Sequence, residues 1–152
     1  MWVLLRLACA TTPQQSDVAY ARDLAPVLAD NGLLAERVLQ LAGDATQPNP
    51  DHERLARGWT QDVVPLAIHV AVVSATVEAP PTWTARHGEL VSLWDRRATA
   101  AQEAAAALSE GDRARWDRAA ADLTRNRLDE EAWFRAANEA LAPTGIPLDA
   151  IP

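Results

Sequence analysis

Lysine is absent from this chain, and all 14 basic residues are arginine. Without a lysine amine there is no Schiff base and no phosphate-loop lysine, so pyridoxal-phosphate chemistry and a Walker A site are excluded. Cysteine is nearly absent. The single Cys9 excludes an intramolecular disulfide framework and a multi-thiolate metal site. Positive charge is in deficit: the net charge is -7 and the pI about 4.9. Nucleic acids and anionic membrane surfaces select basic faces, so no nucleic-acid partner is expected. Catalytic signatures are missing too, with no HExxH, no glycine-rich phosphate loop, no CxxCH and no nucleophile elbow. The Glu-x-x-His pairs of di-iron bundles are missing as well, since neither Glu53, Glu78 nor Glu89 stands three before a histidine. No metal, no cofactor and no catalytic residue is assigned, and an enzyme is not expected.

What is present is helix. At 152 residues, about half of them apolar, the chain fits one domain with a working core. Pro80-Pro81 punctuates its middle, because proline lacks the amide and turns its predecessor away from the αR region. A first helix is expected from Asp17 to Leu41 behind Ser16 as N-cap, its stripe formed by Val18, Leu24, Leu28, Leu34, Val38 and Leu41. Asn31-Gly32 is a turn signal inside it; the apolar phase is the same on both sides, which favours one helix over two short ones and places Gly32 close to the stripe. Asn49-Pro50-Asp51 reads as an N-cap, a proline at N1 and an acid in the first turn of a second helix reaching about Glu78. Residues 63–77 are apolar nearly all round, so this half should be the most buried helix.

A third helix is expected from Thr82 to Leu108, with Trp83, His87, Leu90, Val91, Trp94, Ala98, Ala101, Ala105 and Leu108 on one face. Gly111 stops it and Asp112 caps a fourth helix that extends to Leu141, before an extended tail over 143–152. Short connections favour antiparallel neighbours, so the fold expected for 17–142 is an all-α, antiparallel up-down-up-down four-helix bundle.

The N-terminal segment, 1–16, stands apart. The stretch from Trp2 to Ala10 is a short apolar run with Cys9 near its end, and Thr11 to Ser16 resembles the polar tether after a lipoprotein cysteine. Arg6 stands where a lipobox has leucine, and the run is too short to span a bilayer. It reads either as a clipped export signal, with Cys9 the lipidation candidate and membrane association through the N-terminus only, or as an ordinary extension packed on the bundle.

A polar layer is expected at mid-bundle. Arg97 holds a stripe position three after Trp94, and on the fourth helix the stripe passes through Arg127 and Glu130 or Glu131 between Leu123 and Phe134. Pro26 and Pro65, set inside their helices near the same height, should bend them, and His69 lies one turn from Pro65. Such a layer either pairs Arg97 with an acid and fixes register, or opens a cavity in which His69, Arg97, Arg127, Glu130 and Glu131 hold a small polar ligand. Haem between His69 and His87 would need the two rings to face each other across about 6 Å of axial offset. Trp59, Trp83, Trp94, Trp116 and Phe134 fall on stripes, whereas Trp133 falls outside and is the candidate for an exposed contact site.

Pro26 in the first helix, Pro80-Pro81 followed by His87, and the Gly111-Asp112 turn resemble a loose group of small exported bacterial proteins and lipoproteins that are four-helix bundles of unassigned function. The all-arginine, Ala- and Pro-rich composition also matches the codon habit of a GC-rich bacterium. The functional expectation is a non-enzymatic interaction or accessory module of the cell envelope with a protein partner. The alternatives are a ligand-binding bundle and, for location, the cytoplasm.

Overall fold

A computed structural model describes residues 13–145 and residue 148, and Cys9 with the rest of the apolar N-terminal run lies outside them. Among the described residues there is no strand. Four helical rods pack on one another as an all-α four-helix bundle. The first rod is α1, Pro13–Ala45. The second comprises α2, His52–Gly58, a π-helical stretch, Trp59–Val63, and α3, Val64–Ser74. The third is α4, Thr84–Glu110, and the fourth is α5, Arg113–Leu141. Contacts run in opposite directions along neighbours: Asp30 meets His69 where Arg37 meets Asp62, and Arg86 meets Trp133 where Glu103 meets Arg115.

α1 begins four residues before Asp17, so Ser16 lies within the helix and is not its cap. It continues through Asn31-Gly32, as the unbroken apolar phase requires. Gly32 is exposed, however, and a Cβ there would meet nothing within 4 Å, so it is no point of close approach. That role belongs to Gly58, where a Cβ would come within 2.8 Å of the Leu41 Cδ2 methyl and so bars a side chain between α1 and α2. The cap of α2 is Asp51, whose carboxylate accepts from the Arg54 amide at 2.9 Å, two residues later than the Asn49 cap expected.

Pro26 and Pro65 both lie inside rods. Proline at 65 removes one amide and crowds the carbonyl four residues back, on Gln61. The turn containing Gln61 is the one that widens into a π-helix, with the Val64 amide donating to the Trp59 carbonyl five residues back. α3 ends at Ser74, short of Glu78. α4 starts two residues after Thr82, where the Trp83 amide donates to the Pro80 carbonyl at 2.8 Å and closes the corner. At the far end Gly111 takes the left-handed conformation at φ 67°, and the Asp112 amide reaches back to the Ala107 carbonyl at 2.9 Å. The Asp112 side chain then caps α5 by accepting from Arg115.

The core is one cluster in which Trp59, Trp94, Tyr20 and seven leucines, Leu148 among them, are fully enclosed. The described part of the C-terminal segment is not extended: Ala142–Thr144 forms a 3-10 turn, and Leu148 is buried with its amide donating to Asn138 Oδ1 at 2.8 Å.

Two expectations about burial fail. α5 turns residues 119, 126, 130, 133 and 137 inward, so Trp133 is 6% exposed while Phe134 is only partly covered. α3 is not the most buried helix, for Ile68 and Val72 on its outer side are 38% and 59% exposed.

Candidate functional site

The mid-bundle layer forms around Glu130. Arg97 Nη1 donates to both of its carboxylate oxygens at 3.1 and 3.2 Å. Trp94 Nε1 and Asn31 Nδ2 donate to Oε1, and Arg97 Nη2 donates to Asn31 Oδ1. Three rods therefore meet in one buried network. Burial pulls the Arg97 guanidinium below its ordinary pKa, and the charge and hydrogen bonds of Glu130 oppose that shift. Asn126, also buried, donates to the Leu93 carbonyl at 2.6 Å. Arg97 Nε and Asn126 Oδ1 are the buried atoms of this layer left without a partner.

The other sequence candidates do not join it. His69 is on the surface, 3.2 Å from Asp30. Arg127 and Glu131 pair with each other along the exposed side of α5. Only Arg97 and Glu130 of the five are interior, so the structure does not assemble the cavity in which all five hold a ligand. Trp133, expected at a contact surface, instead donates to the Arg86 carbonyl at 2.8 Å and stands edge-on to Phe134. Asn31 was missed because Asn-Gly reads as a turn. Its place four after Val27 and three before Leu34 puts it on the stripe, and that signal identifies it.

A second polar cluster ties the Pro80-Pro81 end. The Tyr20 hydroxyl lies 3.0 Å from His87 Nδ1, and the Ser74 backbone carries another hydrogen bond to the same imidazole. Burial lowers the His87 pKa, the Ser74 bond partly opposing it, and burial raises that of the Tyr20 phenol. Trp83 stacks obliquely on Tyr20 and donates to Asp17 Oδ1 at 3.1 Å. His87 is thus committed to Tyr20 and Ser74 while His69 lies outside, and the two rings do not face each other as axial ligands would.

Among the described residues no group of three or more His, Cys, Asp or Glu side chains is placed to hold a metal ion. What remains unaccounted for is the outer face of α3. Residues 63–77 contain no Asp, Glu or Arg, and yet Ile68 and Val72 face solvent. Neither protein-family models, curated proteins nor solved structures provide a match to this chain.

Proposed function

We propose that this protein is a non-enzymatic interaction or accessory module whose contact surface is the outer face of α3. One observation carries the reading: a helix apolar nearly all round is the pattern of a helix covered nearly all round, and here the bundle leaves Ile68 and Val72 uncovered. Both buried polar clusters support it from the other direction. Their groups are spent on one another rather than presented to a substrate, and general acid/base work needs a pocketed acid and base within reach of one. The envelope location read from the run around Cys9 belongs to the same proposal. Among the described residues no helix is long and apolar enough to cross a membrane, so attachment would depend on that run.

The reading is tested with Ile68→Glu/Val72→Glu in the full chain. The expected result is a folded, fully helical protein that no longer gives the cross-linked adduct that wild type forms with its partner in its own cells. Retention of the same partner by the variant would sink the assignment of this face.

A further inference from the structure

We infer that the occupant of the α3 face is a second copy of this chain, docked about a two-fold axis; the inference rests on the interaction reading above and adds the partner. Beside Val72 the surface dips into an open hollow of roughly 430 Å³, lined by Ala71, Ala75, Gly88 and Val91 where α3 meets α4. A Cβ built on Gly88 would meet nothing within 4 Å, so the α4 wall of the hollow is low. Val72 stands exposed at its edge, with Ile68 one turn away on the same face. Projection and hollow therefore occur on one patch. A two-fold contact sets the same patch against itself, so every projection must find its hollow on that same surface.

Charge restricts where a second copy can dock. Each copy carries -7, and at physiological salt two copies repel once they approach within about 8 Å. Self-contact must therefore use the face poorest in carboxylates. Asp95 is the one charged residue lining the hollow, and His69, the one titratable group within 63–77, is engaged with Asp30. A basic partner would be drawn instead to the acidic parts of the surface.

Size sets the strength. The 11 residues of α3 make a face about 16 Å long and about 10 Å wide. That is well below the roughly 800 Å² per partner of a standard interface, so the dimer is weak and reversible.

Sedimentation velocity on the full chain, from micromolar to millimolar concentration at low and high sodium chloride, tests this. The sedimentation coefficient should rise with concentration toward the dimer value. It should rise more steeply in high salt, because screening removes the repulsion. Val72→Glu should abolish the rise with the circular dichroism spectrum unchanged. Gly88→Leu, which fills the hollow from the opposite rod, should do the same and keeps the test decisive should Val72→Glu lose helix. A monomer at every concentration, association that weakens with salt, or association that survives both substitutions overturns the inference. A photo-reactive benzoylphenylalanine at position 72, in cells that make the protein, separates this failure from that of the interaction reading. A self-adduct supports the dimer. An adduct to another polypeptide overturns self-association and leaves the interaction reading standing, and no adduct overturns both.

Discussion

Arg97 and Glu130 are each about nine-tenths covered, and that decides what their contact is worth. Taking two charges out of water costs several kcal/mol per ion, which their attraction repays only with good geometry and further hydrogen bonds. Here the carboxylate receives Trp94 and Asn31 as well as Arg97, so removing one partner strands the other in a dry interior. Arg97→Ala should cost about 3 to 5 kcal/mol in denaturant melts, and Glu130→Ala a similar amount. The double variant should cost less than the sum of the two, and that coupling is the measurable signature of the pair. Glu131→Ala serves as the contrast, because the Arg127–Glu131 pair is more than half exposed, and it should cost under about 1 kcal/mol. Equal costs for Glu130 and Glu131 would mean that the layer is not buried.

The helices themselves follow from local chemistry, which is why their number and order were legible. Pro80-Pro81, Gly111-Asp112 and Asp51 act within one turn of where they stand, and each ends or begins a helix there. That Arg97 meets Glu130 or Glu131 was legible for a similar reason, since antiparallel counting sets Arg97 and the acidic pair at one height, but the choice between the two acids was not. The rotation of α5 was harder. Trp133 and Phe134 are adjacent and similarly apolar, so the choice between them rests on the 3.5-residue drift from Ala119 through Asn126, Glu130 and Ala137, in which two inward residues are polar. The exposure of α3 was not legible at all, because periodicity records which sides of a helix are apolar and not how many neighbours cover them. Glycines separate the same two kinds of information. Gly32→Ala, in open space within α1, should raise stability by about 0.5 to 1 kcal/mol, since glycine is that much poorer in a helix. Gly58→Ala has the same local gain but must push aside the buried Leu41, at a cost of about 1 to 3 kcal/mol, so its net effect should be destabilising. Thermal melts of the two variants moving in the same direction would contradict the close approach of α1 to α2.

At the scale of the whole molecule, the rods are fastened by polar contacts at different heights, and the buried one through the His87 imidazole should answer to mild acid. Glu130 and its partners tie α1, α4 and α5 at the middle, while His87 ties α4 to Tyr20 of α1 and Ser74 of α3 at the Pro80-Pro81 end. Burial holds the folded-state pKa of His87 below its ordinary value of 6.5. The unfolded chain therefore binds the extra proton first as pH falls, and the stability contributed by the neutral imidazole is fully present above about 6.5 and is lost as pH drops through the folded-state value. Protonation also turns Nδ1 from acceptor to donor, so the Tyr20 hydroxyl can no longer donate to it. Unfolding free energy measured by denaturant titration should accordingly be flat from pH 8 to about 6.5 and fall toward pH 5, above the range where exposed carboxylates titrate. His87→Gln, less stable than wild type at pH 8, should show a much shallower decline over that interval. Hydrogen exchange at pH 5 should quicken at the start of α4 and around Tyr20 before it does so around Arg97. A decline as steep in His87→Gln as in wild type would show that another group carries the acid response and that this end of the bundle is not held through the neutral imidazole.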